Sequence, residues 1–247
     1  MEIDNIYNMD CLELMRTLPD KCFQLAIADP PYGIRDAGGQ TGGMGKLKNR
    51  IFTNGKIDRW DKAPSEEFFA ELERVSVNRI IWGGNYFPLP PSRCFICWDK
   101  VQPWENFSQV EFAWTSFDGP AKLYRYDNRT GDKIHPTQKP IDLYAYCLQW
   151  FAKPGDRIFD PMMGSQSSRI AAYKMGFDYV GCEIDKDFFD KGCERFDREC
   201  RGIIKMESGK TYQQTSLFAP NPDTVSDHQP NSVSDHQPDS VLTSLPD

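Results

Sequence analysis

The run Phe23–Ala28, FQLAIA, is almost wholly apolar and stops abruptly at Asp29-Pro30-Pro31-Tyr32. A strand with one wet face alternates apolar and polar residues. A near-continuous apolar strand is covered on both faces, as happens in parallel sheets flanked by helices. The prolines end the run because they lack an N–H and bias the preceding residue away from helix. One short segment therefore points to a parallel sheet with two helical layers.

The rest of the chain fits that demand. Strands are expected at Ile3–Met9, Arg79–Trp82, Cys94–Trp98, Val110–Trp114, Arg157–Phe159 and Tyr179–Cys182. Helices are expected at Cys11–Leu18 with Asp10 as its cap, at Glu66–Val75 after Ser65, and at Ile141–Phe151, Ser165–Met175 and Asp187–Cys200. Alternating strands and helices predict a doubly wound α/β fold with a mostly parallel sheet. A chain of 247 residues supports one such domain, assigned to residues 1–210.

Two segments lack apolar periodicity. Residues 33–62 form a long Gly-rich stretch carrying Lys46, Lys48, Arg50, Lys56 and Arg59. Residues 115–139 are polar and hold Lys122, Arg125, Arg129, Lys133 and Lys139. Loops of such length are functional or disordered. Residues 211–247 contain five Asp and no Lys or Arg, and Val-Ser-Asp-His-Gln-Pro occurs there twice. Such a sequence cannot bury enough apolar surface to offset its ordering entropy, so residues 219–247 are expected to be disordered. The net charge of −7 falls to −2 once those five acids are set aside. Phosphate contact depends on local basic patches and not on the whole-chain charge.

No apolar run is long enough to span a membrane, and the first residues lack a signal-peptide pattern. A cytoplasmic protein is the expectation. The eight cysteines are scattered, and in a strand Cys94 and Cys97 point to opposite faces. Two of the three histidines lie in the tail, so no metal site is expected.

Asp29-Pro-Pro-Tyr32 falls at the carboxyl end of its strand, where ligands bind in sheets of this kind. An exocyclic amine is a poor nucleophile because its lone pair is delocalised into the ring. Asp29 and the Pro30 carbonyl can each accept one N–H and free that lone pair, Pro31 helps fix the backbone, and Tyr32 offers a face for an extruded base. A second constellation, Asp160-Pro161-Met-Met-Gly164-Ser165-Gln166-Ser167, runs from strand into helix. Gly164 permits a tight turn, and the helix start offers N–H groups to an anion. Glu183, after the next strand, stands where ribose hydroxyls are commonly held. Together these suggest a nucleoside cofactor, to which Lys139 in His135-Pro-Thr-Gln-Lys-Pro140 could add a cation.

Those motifs, in that order, resemble the beta class of amino DNA methyltransferases, a circularly permuted family of bacteria and phages in which the catalytic motif precedes the cofactor motif. The resemblance implies a seven-stranded sheet of the class I S-adenosylmethionine-dependent methyltransferase fold, double-stranded DNA as substrate, and base flipping. Asn8-Met-Asp10-Cys11-Leu12 matches the segment that meets the cofactor's adenine, His135–Pro140 the stretch beside its methionine, and Phe159–Ser168 the methionine loop. An Asp-first tetrapeptide is associated with adenine N6 more than cytosine N4, the alternative target. RNA or protein-amide methylation and a decayed DNA-binding homologue are more distant alternatives. Two departures stand out. Gln166 replaces the second Gly of the usual Gly-Ser-Gly, and the family's recognition region is reduced to residues 117–134, so that 33–62 is expected to share target reading. Gln214-Thr-Ser-Leu-Phe218 resembles the peptide that docks replication proteins on the sliding clamp. The bland alternative is that Leu217 and Phe218 anchor the chain end. Oligomeric state stays open between monomer and homodimer.

Overall fold

A computed structural model of the chain describes residues 4–33, 62–103, 108–127, 134–135, 137–205 and 210–213. Most of the basic 33–62 stretch, Arg129, Lys133, the Gln214–Phe218 peptide and the repeat tail lie outside the described residues.

Among the described residues an eight-stranded sheet has the order β1-β8-β7-β2-β3-β5-β4-β6. Its strands are β1 (Asp4–Tyr7), β2 (Phe23–Ala28), β3 (Ser76–Trp82), β4 (Phe95–Asp99), β5 (Val110–Thr115), β6 (Lys122–Arg125), β7 (Arg157–Asp160) and β8 (Asp178–Cys182). Only β5 runs against the rest, pairing antiparallel with both β3 and β4. The fold is the expected mostly parallel one with one strand more than expected. The addition is β6, which pairs with β4 inside a segment too polar to announce a strand. Its Leu123 is exposed and its register supplies what its composition does not.

Among the described residues five α-helices cover the sheet: α1 (Cys11–Thr17), α2 (Glu66–Val75), α3 (Ile141–Phe151), α4 (Ser167–Lys174) and α5 (Lys186–Phe196). Asp10 caps α1 through Oδ1, accepting from Leu12 and Glu13 N–H at 2.8 and 3.2 Å. Ser65 caps α2 in the same manner. Both caps fall where the sequence places them. The nearly uniform apolar character of β2 and β3 then explains itself. Leu25, Ile27, Ile80 and Trp82 pack with residues of α3 and α4 on one face. Ala26, Ala28 and Ile81 pack on the other with Leu14, Met15, Phe68 and Leu72 of α1 and α2. Arg74 ties that second layer together, donating to the α1 carbonyl of Met15 at 2.7 Å and to Leu18 at 2.8 Å. It thus satisfies carbonyls the helix end leaves orphaned.

Past α5, β9 (Ile203–Lys205) and β10 (Thr211–Gln213) form a separate two-stranded ribbon, which runs three residues beyond the domain end expected at 210. No helix among the described residues is long and apolar enough to cross a membrane.

Candidate active site

β2 and β7 are neighbours, yet the chain leaves β2 toward β3 and leaves β7 toward β8, in opposite directions across the sheet. A crevice forms where strand order reverses in this way. Here it is a cavity of ≈ 570 Å³, walled by the segments that follow β1, β2, β7 and β8 and by the approach to α3. Its size suits a small-molecule site, typically about 300–1,000 Å³.

Eleven of the residues singled out in the sequence line this cavity: Asp10 and Cys11; Asp29, Pro30, Pro31 and Tyr32; and Lys139, Pro161, Gly164, Ser165 and Glu183. Asp160, Gln166 and Ser167 do not. Asp160 is buried beneath the loop and accepts from Ser168 Oγ and the Met162 N–H, at 2.5 and 2.9 Å. Ser167 Oγ donates to the Lys139 carbonyl at 2.7 Å. Gln166 takes the left-handed conformation, φ 60°, where glycine would be free of strain. Its side chain turns away from the cavity: the amide donates to the Phe189 carbonyl at 3.1 Å and accepts from Arg169 at 2.7 Å. These three residues lie outside the cavity lining and build the loop behind it.

Glu183 is tied to that framework. Its Oε2 accepts the Gly164 N–H at 2.8 Å and its Oε1 the Asp185 N–H at 2.9 Å. The Gly164 N–H, expected to be open to an anion, is therefore engaged by Glu183. His135 packs its ring against Phe188, with centroids 4.3 Å apart. Burial and the nearby Lys139 charge lower its pKa to about 4, so it is neutral near pH 7.

The densest electrostatics surround Asp29. Its Oδ1 accepts from Lys139 Nζ at 2.5 Å and from the Tyr32 O–H at 3.2 Å. Lys139 also reaches the Tyr32 oxygen at 3.3 Å and Glu111 Oε2 at 3.3 Å. The other oxygen of Glu111 accepts from Lys100 at 2.5 Å. Burial raises the Asp29 pKa, a rise that the Lys139 charge only tempers. Burial works against the Lys139 charge, yet Asp29 and Glu111 together hold its pKa well above the ordinary value. Burial likewise keeps the Tyr32 phenol protonated, reinforced by the Asp29 anion. Lys139, expected as a cofactor contact, thus pairs with the carboxylate of the tetrapeptide. Tyr32 stacks on Tyr86, with ring centroids 4.9 Å apart and planes 21° apart.

Sequence reasoning missed Glu111, Lys100, Tyr86 and Gly83. A strand's carboxyl end is where ligand-binding residues are sought in a parallel sheet. Because β5 is reversed, its beginning lies at that edge, and Glu111 is its second residue.

A doubly wound, mostly parallel sheet with a crevice at its strand ends lined by Asp10, Asp29 and Glu183 is the architecture of the class I S-adenosylmethionine-dependent methyltransferases. Residues 81–194 match the N6/N4 methyltransferase family, described as DNA methylase. Asp29–Tyr32 precedes the matched segment. The chain is similar to the type II methyltransferase M2.MboI of Moraxella bovis, 24% identical over 82% of this chain and 90% of that one. Its fold is that of TTHA0409 from Thermus thermophilus, at a TM-score of 0.54, 18% identity and coverage of 81% and 97%. TTHA0409 has also been solved with S-adenosyl-L-methionine. The cytosine-N4-specific PvuII DNA methyltransferase shares the fold at a TM-score of 0.51, 14% identity and coverage of 79% and 92%.

Proposed function

We propose that this DNA methyltransferase moves a methyl group to the N6 amine of adenine, with the base turned out of the duplex into the cavity. The observation that carries this reading is the state of Asp29. Lys139 and Tyr32 both bind Oδ1, while Oδ2 has no partner among the described residues, and Asp29 lines the cavity.

The cavity residues fit the cofactor. Glu183, fixed by two backbone N–H groups, suits the ribose hydroxyls. Asp10 and Cys11, which line the cavity after β1, would meet the cofactor's adenine, and Gly164 and Ser165 after β7 its methionine moiety. When bound, S-adenosylmethionine supplies an electrophilic methyl group. Asp29 Oδ2 accepts one N–H of the incoming amine and the Pro30 carbonyl the other, which draws the nitrogen lone pair out of ring conjugation. The amine must shed a proton once its new bond to carbon forms. Asp29, made more basic by burial, is placed to take it.

Gly33 and Ala63 meet, since a Cβ on Gly33 would stand 3.0 Å from the Ala63 nitrogen. The basic 33–62 stretch therefore leaves and rejoins the body beside Tyr32, which supports a share in target reading. Incubation with labelled cofactor and unmodified DNA, followed by nucleoside identification, tests the whole reading. N6-methyladenine is expected, and N4-methylcytosine would transfer the same hydrogen-bond scheme to the other base. Asp29→Ala should lose about 10²–10⁴-fold in rate with cofactor binding retained.

A further inference from the structure

We propose that Glu111 is a positioning residue for methyl transfer, acting on Asp29 through the shared Lys139 ammonium. This rests on the reading of Asp29 as the acceptor of the amine. Asp29 directly follows β2 and Glu111 is the second residue of β5, with β3 between the two strands. Lys139 spans that gap with its Nζ 5.4 Å from the Trp82 ring centroid at the end of β3. Its side chain is 3% exposed, so all three ammonium hydrogens must find partners within the protein. Asp29 Oδ1 and the Tyr32 oxygen accept hydrogen bonds from it, and Glu111 Oε2 faces it as an ion pair. Glu111 Oε2 is itself buried and accepts no hydrogen bond among the described residues, and the charge that answers it is the ammonium at 3.3 Å.

The division matters for chemistry. An ammonium facing Asp29 alone would be drawn across both carboxylate oxygens and would cover the one the amine needs. Glu111 pulls it to one side and keeps it on Oδ1. Lys100 balances the set, so two carboxylates and two ammonium groups sum to zero charge in a site that must admit a neutral base. The groups facing Asp29 are Lys139 from the approach to α3, Glu111 from β5, Tyr32 from its own segment, Asp160 from β7 and Tyr144 from α3.

Two variants of the full-length protein test the proposal. The Glu111 anion raises the Asp29 pKa, so Glu111→Gln should lower it. Lys100→Met strips Glu111 of its other cation and should raise the Asp29 pKa. The readouts are the Asp29 carboxyl carbon, titrated by NMR and assigned by its loss in Asp29→Asn, and kcat against pH. Opposite displacements in the two variants are expected, with kcat in Glu111→Gln down by about 10²-fold, the scale of a misplacement near 1 Å. Cofactor affinity measured by calorimetry should hold. Unmoved or parallel titrations, or a Glu111→Gln enzyme that loses cofactor binding in place of kcat, overturn the proposal. If the unsubstituted protein labels no nucleoside, the reading of Asp29 fails. The NMR titrations still decide whether the Glu111 charge reaches Asp29.

Discussion

Tyr32 is held on three sides. Its O–H points to Asp29, one ring face lies on Tyr86, and its edge fills the space above Gly83. A methyl group built on Gly83 would fall 2.2 Å from a ring carbon, and Gly83 has φ +68°, so both sterics and backbone require glycine there. Gly83→Ala should cost roughly 1–2 kcal/mol for the left-handed conformation alone, and more for the displaced ring. It should also move the phenol off Asp29. The expected result is a lower urea midpoint and a slower single-turnover rate, with cofactor affinity kept. An unchanged rate would mean that the Tyr32 hydrogen bond does not steer Asp29. At this scale the sequence discloses the tetrapeptide but not its supports. Tyr32 carries its meaning in its immediate neighbours, whereas Gly83 and Glu111 meet the motif only after strands distant in sequence are laid side by side.

Elements placed Asp160 and His135 in opposite electrostatic predicaments. Asp160 ends β7 beneath the loop to α4, and burial raises its pKa from 3.8 to about 7. The folded state there binds more protons than the unfolded one, so stability falls as pH rises from about 4 to about 7. His135, on the approach to α3, has its pKa lowered from 6.5 to about 4 by burial. The folded state there binds fewer protons, so stability rises over nearly the same window and is lost on acidification below 6.5. The two slopes oppose one another. Asp160→Asn should therefore expose the His135 trend, and unfolding free energy should climb from about pH 4 to about 6.5 more steeply than in the unsubstituted protein. His135→Asn should tilt it the other way. Urea unfolding across that range decides the matter, and parallel curves for the two variants would refute the assignment. The helices and central strands that carry these residues were readable, because apolar periodicity and the Asp10 and Ser65 caps are local signals. Strand β6 was not, because its residues are half exposed and only pairing with β4 makes them a strand.

Across the whole molecule, charge is divided between building the protein and meeting DNA, and the structure redraws that division. Of the second basic set, Lys139 is buried in the active site. Arg125 pairs with Asp99 at 2.9 Å, and Lys122 sits 3.8 Å over the Trp150 ring. Composition alone could not separate these cations from free ones, since a lysine reads the same whether it faces a phosphate or a carboxylate. With Lys122, Arg125 and Lys139 each on a partner within the protein, we propose Lys46, Lys48, Arg50, Lys56 and Arg59 as the leading phosphate-binding groups. For every phosphate that the protein ceases to neutralise, the slope of log K against log salt concentration should become shallower by about 0.9. Neutralising all five side chains should flatten the slope by several such steps in fluorescence anisotropy titrations on duplex DNA. Replacing Lys122 and Arg125 should change it far less. If the five-fold variant keeps the full salt dependence, the 33–62 stretch does not contact the DNA backbone, and its share in target recognition falls with it.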